Sequence, residues 1–510
     1  MNRRHSRRRF LRSAAMGGAA LGLGELGFLR HLPRVSAKEA TLDSKLVRLD
    51  ESIRPLVELL EQTSRDRLLE TVAERIHAGT SYQEVLAALL LAGVRNVQPR
   101  PAVGFKFHSV LVVNSAHLAS LAAPDSDRWL PIFWALDYFK ATQLEEESKS
   151  GWKLAAVDES LVPSGSKARA AFITAMENWD VPAADVAVAG LARSAGAQEV
   201  IELFYRYGAR DYRSIGHKAI YVANTWRALQ CIGWQHAEPV LRSLAYALLN
   251  HEGEANPATS DLSPDRPWRD NQELVKTLRE DWLDGRLDDG ATRELIAVLR
   301  TASPREAAEQ AVAVINRGVA AQSVWDAVMI GSGELLMRQP GIIGLHTLTT
   351  ANALHYAFSA SGDDRTRQLV LLQNCAFVPK FRESAAIRGA IKETTLDLQM
   401  PTEPAGAVSA EAVEEIFAEI SRNRDQAAVK VRAFLAAGGD PRTITDTARR
   451  LVFAKGRDAH DYKFSAAVLE DFGHVSPAWR SLFLSLSVFN LPGSADRDNQ
   501  LVQRIRSALA

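Results

Sequence analysis

Two short runs of this chain carry the same side chains at the same intervals: FHSVLVVNSAH from Phe107 to His117, and LHTLTTANALH from Leu345 to His355. Each reads His-x5-Asn-x2-His, so His108, Asn114 and His117 correspond in order to His346, Asn352 and His355. Imidazole is both a metal ligand and a proton-transfer group near neutral pH. Here it recurs within apolar runs, where a solvated surface does not account for it. If each run is one ideal helix, nine residues turn through roughly 900° and put its two histidines on opposite sides. Asn114 and His117 then share a face, as do Asn352 and His355. Symmetric packing of the two runs would let those faces meet, bringing two imidazoles and two carboxamides to an axis. His108 and His346 would look toward the next helix of their own half.

Further candidates lie downstream of each run. GARDYRSIGHKAIYVANTW holds Asp211, His217 and Asn224, and GRDAHDYKFSAA holds His460 and Asp461. His217 and Asn224 are seven apart and nearly eclipsed on one helix face. Acidic partners are available at Glu145 or Glu146 and at Glu383. Neutral imidazoles with a carboxylate suit a transition metal such as iron or zinc without deciding between them. The expected ligands are His108, His117, His346, His355 and Glu383. His217 and His460 are the expected catalytic groups, oriented by Asp211 and Asp461, with Asn114 and Asn352 on the cofactor. Two other readings remain open: a carboxylate that turns one imidazole into a general base, and histidines that are core residues satisfied by Asn or backbone oxygens. His77 reads as the end of a helix before Gly79, while His236, His251 and His474 sit in turn-like contexts. Nucleophile-elbow, phosphate-loop, zincin and dinucleotide motifs are missing from the body of the chain.

The elements that must position these groups are helical. Helix-spaced apolar residues run through RLLETVAERI, YQEVLAALLLAG, LVKTLREDWL and AEAVEEIFAEI, whereas alternating strand patterns are scarce. Gly79, Gly318 and Gly438 each follow such a run, as a left-handed helix terminus requires. The flanks of the two histidine runs also match in part: Gly79 with Gly318, Val85 with Val324, Asp127-Arg128 with Asp364-Arg365, and Arg242-Ser243-Leu244 with Arg480-Ser481-Leu482. The expectation is an all-α, internally duplicated protein with two helical halves about a pseudo-two-fold axis, residues 44–255 and 285–510, joined by a polar, Pro-rich linker over 256–284. Lys and Arg number 61 and so do Asp and Glu. That balance leaves no net field to recruit nucleic acid or an anionic membrane.

Ser6 to Arg12 reads SRRRFLR, followed by a weakly apolar stretch and by Val35-Ser36-Ala37. This resembles a twin-arginine (Tat) signal peptide over residues 1–37. The resemblance implies engagement of the Tat export machinery, a periplasmic or otherwise exported product, and no stable transmembrane anchor after cleavage. An oxidising compartment would allow Cys231 and Cys375 to pair, while buried free thiols are the alternative.

The run GLHTLTTANALHYAF is similar to segments of the questin oxidase-like proteins, a helical family with recurring His-containing LHxxTxxxAL segments. The resemblance implies oxidation of a ring ketone or related aromatic substrate and touches His346, Thr349 and His355, with His108 and His117 by internal correspondence. The expected function is that of an exported, metal- or cofactor-dependent oxidoreductase acting on a small molecule at a His-lined site. Its alternatives are a non-catalytic helical scaffold or ligand-binding protein, and a metal-dependent hydrolase using a metal-bound water.

Overall fold

Straight-chain and small residues with high helix propensity dominate the body of the sequence, and the chain folds accordingly. The computed structural model describes residues 52–99, 105–249, 255–395 and 408–509; the export-type motif, Val35-Ser36-Ala37 and His251 lie outside them. Among the described residues the architecture is all-α, with 22 α-helices, three short 3-10 turns and no strand. A lone parallel bridge joins Arg286 to Val319. Gly79, Gly318 and Gly438 take φ of 105°, 90° and 88°, the left-handed geometry expected where α2, α13 and α18 stop. No helix among the described residues is long and apolar enough to cross a membrane.

The first ten helices are α1 (Arg54–Gln62), α2 (Arg65–His77), α3 (Tyr82–Asn96), α4 (Phe105–Leu121), α5 (Leu130–Lys149), α6 (Gly165–Glu177), α7 (Val181–Ser194), α8 (Ala197–Ala209), α9 (His217–Ile232) and α10 (Ala237–Leu249). After α11 (Arg266–Leu274) come α12 (Asp289–Leu299), α13 (Pro304–Asn316), α14 (Ala321–Arg338), α15 (Ile342–Ala360), α16 (Asp364–Arg388), α17 (Ala410–Ile420), α18 (Arg424–Ala436), α19 (Pro441–Lys455), α20 (Ala459–His474), α21 (Pro477–Ser487) and α22 (Leu501–Leu509). Packing partners recur down this order: α1 on α3 and α12 on α14, α4 on α5 and α15 on α16, α6 on α7 and α17 on α18, α7 on α10 and α18 on α21. The described residues all belong to a single compact unit and share one core.

Four helices line the middle of that core. α4 packs against α9 and α20, and α15 packs against the same two, which closes a ring. All four are buried on most sides; His346, Thr350 and Ala351 of α15 have no exposed surface at all. Each carries a histidine in its opening turns, and those histidines meet, so the four helices run parallel with their N-termini at one end. Parallel neighbours cannot be joined by tight turns. The remaining helices serve as the long connections and as an outer layer.

Cys231 is half-buried and Cys375 buried, and both are free thiols. Burial pushes the Cys375 thiol up to about 12, so it stays protonated and inert at neutral pH.

Candidate metal centre

One imidazole comes from each inner helix: His108 from α4, His217 from α9, His346 from α15 and His460 from α20. The Nε2 atoms of His108 and His217 are 2.8 Å apart, and those of His346 and His217 are 3.1 Å apart. The His460 ring stands edge-on to those of His108 and His346, at 4.4 and 5.2 Å between centroids. Ligand-capable nitrogens of His108, His346 and His460 all lie within 4.8 Å of one another. Two nitrogens of a tetrahedral site with metal–nitrogen bonds of ~2.0–2.1 Å sit about 3.3 Å apart. The cluster is already near that spacing.

What the outer nitrogens do is decisive. His217 Nδ1 lies 2.7 Å from the Ser214 carbonyl oxygen, and His346 Nδ1 lies 2.6 Å from that of Ile342. A carbonyl oxygen only accepts, so each Nδ1 carries the proton and each Nε2 presents a bare lone pair. His108 can donate one N–H to His217. No proton is then left for the contact between His217 and His346, unless an imidazole becomes charged. Burial, then Lys463 and the neighbouring imidazoles, holds His108 well below the usual histidine range. Burial, then His217 and Lys463, does the same to His346. A cation among the Nε2 atoms would resolve the conflict, since metals bind the neutral ring.

His460 supplies the fourth position from a different setting. Its Nε2 is buried without a hydrogen-bond partner, while Nδ1 faces Asp458 Oδ1 at 3.4 Å. Asp458 also opens α20, accepting from the backbone N–H groups of His460 and Asp461 in a capping box. One carboxylate thus starts the helix and orients the ring, the outer-shell arrangement that tunes metal ligands. The His460 side chain keeps 19% of its surface exposed, which makes this edge the approach from solvent.

The turn that delivers His217 is strained. Ser214, Ile215 and Gly216 have φ of 66°, 47° and 79°, a left-handed run that only glycine adopts without cost. Gly216 also passes so close to α15 that a Cβ there would stand 1.9 Å from Thr350 Oγ1. Two buried ion pairs brace the turn: Arg213 with Asp265 at 2.5 Å and Lys218 with Asp211 at 2.6 Å. Strain held by such bracing marks positions where geometry serves a site.

Below the imidazoles, a narrow cleft of about 10 Å³ is lined by Asn114, Asn224, Arg227, Thr349, Asn352 and Lys463. That is room for about one water-sized molecule. Asn114 donates to Asn224 Oδ1 at 3.2 Å, and Asn224 donates to the Leu111 carbonyl at 3.1 Å. Lys463 is buried without a hydrogen-bond partner for Nζ, and burial lowers its ammonium to about 7.

Several sequence expectations are rearranged. His108 and His346, expected to face the next helix of their own half, converge with His217 and His460 at the ring centre. His117 and His355 do not meet across an axis. His117 Nδ1 lies 2.9 Å from the Tyr82 hydroxyl, and its ring sits against that tyrosine. His355 packs edge-on to Trp325 at 4.9 Å and beside His474 at 4.7 Å. Opposite faces hold, as nine helical residues require, but the face turned to the axis is the other one. Asp211 braces the turn through Lys218 and the Arg213 N–H instead of touching His217. Asp461 completes the α20 capping box and accepts from the Arg457 N–H, leaving His460 to Asp458. Asn114 lines the cleft and Asn352 bonds Glu470 and Asp471. Glu383 pairs with Lys380, away from every histidine, because α16 lies outside the inner ring. Asp458 escaped the sequence reading, although an acidic residue two before a histidine at a helix start is its signal. His77 ends α2, exposed, as expected.

Comparison with protein families, curated proteins and solved structures finds no match to this chain.

Proposed function

We propose that this protein holds a first-row transition metal on His108, His217, His346 and His460, and that it is an exported, metal-dependent oxidoreductase built on a duplicated helical fold. The observation that carries the metal is the approach of two Nε2 lone pairs, His217 and His346, to 3.1 Å with both outer nitrogens committed to backbone oxygens. Imidazole donors suit iron, copper, nickel and zinc.

Redox chemistry is favoured over hydrolysis because four imidazoles fill a tetrahedral metal and leave no position for the bound water that hydrolysis needs. All four ligands are neutral, the positive ends of four parallel helices point at the centre, and Lys463 lies among the neighbours that act on His108 and His346. Such a setting destabilises the more highly charged oxidation state and makes the metal a ready electron acceptor. The adjoining cleft admits only a very small molecule. A larger reductant would therefore deliver electrons from the exposed His460 edge. Export rests on the Ser6 to Arg12 motif, and the duplication on the recurring helix order and the paired His-x5-Asn-x2-His runs.

Elemental analysis of the natively exported protein, followed by a redox titration, tests this reading. A metal that cycles reversibly and is lost from His346→Ala supports it. Bound metal with no redox step shifts the assignment to a hydrolase. Protein that takes up no metal at the cluster under either anaerobic or aerobic loading overturns it in favour of a scaffold.

A further inference from the structure

A second group of ligand-type side chains lies at the far end of α15 and α20. Ligand atoms of His355, Asp471 and His474 are all within 4.8 Å of one another. The two imidazoles stand 4.7 Å apart between centroids, tilted by 44°. Asp471 is completely buried; its Oδ1 accepts from Asn352 Nδ2 at 2.9 Å, while its Oδ2 is buried with no partner. A buried carboxylate oxygen without a donor is costly, and none of the nearby charges removes that cost. Glu470 is adjacent and ion-paired to Arg227 at 2.7 Å, so two carboxylates share a single guanidinium. Burial and then Glu470 push the Asp471 carboxyl well above its ordinary range. His355, in contrast, is pushed down to about 3 by burial first and then by His474.

We infer that His355, Asp471 and His474 form a second, solvent-facing site for a divalent first-row metal, distinct from the four-histidine centre. Two imidazoles and one carboxylate leave coordination positions open, the ligand set that suits iron(II) and other metals binding a small exogenous oxygen ligand. The carboxylate and His355 are fixed by the interior, and Asn352 holds the former as an outer-shell partner. His474 is exposed at the last residue of α20, so an ion can reach the site from solvent on that side. His346 and His355 are nine residues apart on one helix, which separates the two centres by ~13.5 Å along α15. The polar cleft of Lys463, Asn352 and Arg227 lies between them.

The test is a cobalt(II) titration of the demetallated full chain, followed by visible absorption, on four proteins: wild type, His474→Ala, Asp471→Asn and His460→Ala. Wild type is expected to take two equivalents. His474→Ala, a change at an exposed residue, and the isosteric Asp471→Asn each lose one equivalent, with its affinity weakened at least ~100-fold, while His460→Ala loses the other. If the four-histidine reading alone fails, wild type takes one equivalent that disappears in His474→Ala and survives in His460→Ala. Retention of the wild-type stoichiometry and affinity by both His474→Ala and Asp471→Asn overturns the second site.

Discussion

Replacing His346 by alanine separates a metal ligand from a core histidine. His346 has no exposed surface and supplies one of the two unprotonated Nε2 atoms held 3.1 Å apart. In the metal-free protein the change leaves a cavity and costs about 2 kcal/mol, while also relieving the contact between lone pairs. Metal at 100 times its dissociation constant stabilises the folded state by ~2.7 kcal/mol. Unfolding a unit of roughly 460 residues carries an entropy near 1 kcal/mol per kelvin. Wild type should therefore melt about 3 °C higher with metal than without. Losing one of four ligands weakens binding at least ~100-fold, more than the loss of an outer partner does. The gain left in His346→Ala at the same metal concentration is ~0.4 kcal/mol, well under 1 °C. The assay is calorimetry of both proteins, each also carrying His474→Ala so that only the four-histidine centre can load, with and without metal, and only the difference within each protein is read. An equal metal-dependent rise in wild type and His346→Ala would refute the argument, because the ion would then sit elsewhere.

Asp458→Asn removes the charge facing His460 Nδ1 but keeps a capping side chain; metal affinity should fall roughly 10-fold or more with little change in metal-free stability, measured by competition with a chelator. Gly216→Ala puts a Cβ at φ +79° and 1.9 Å from Thr350 Oγ1; a loss of at least ~2 kcal/mol in urea unfolding is expected, and a neutral result would mean that the turn is not held where it stands. Lys463 has a depressed folded value of about 7 against 10.5 unfolded. The unfolded chain therefore binds the extra proton between those limits, and stability should rise with pH from 7 to about 10.5. In the metal-free protein, Lys463→Met should be more stable by several kcal/mol at pH 7, with the gain shrinking toward pH 10.5. A pH-independent gain would place the lysine's charge outside the folding equilibrium.

The helical class was legible because it depends on local terms. Propensity, the 3.6-residue period and the glycine stops at Gly79, Gly318 and Gly438 act within a few residues of each other, and all appear in the fold. The repeated His-x5-Asn-x2-His spacing likewise marked His108 and His346, and helix geometry alone separated each from its partner nine residues on. His217 and His460 could be named from their surroundings as catalytic groups of a His-lined site but not as co-ligands of His108 and His346, since they lie far from the paired runs in sequence.

Which face of α4 and α15 turns inward was a tertiary decision. The inner ring buries whichever side meets α9 and α20, and that depends on long connections whose packing no local pattern encodes. Asp458, Asp471 and His474 gained their meaning in the same way: Asp471 meets Asn352 across 119 positions of chain, and His474 reaches His355 only because α15 and α20 lie side by side. Residue types and local periods fix what a side chain can do and which way it points on its own helix. Only the packing of distant helices fixes what it faces.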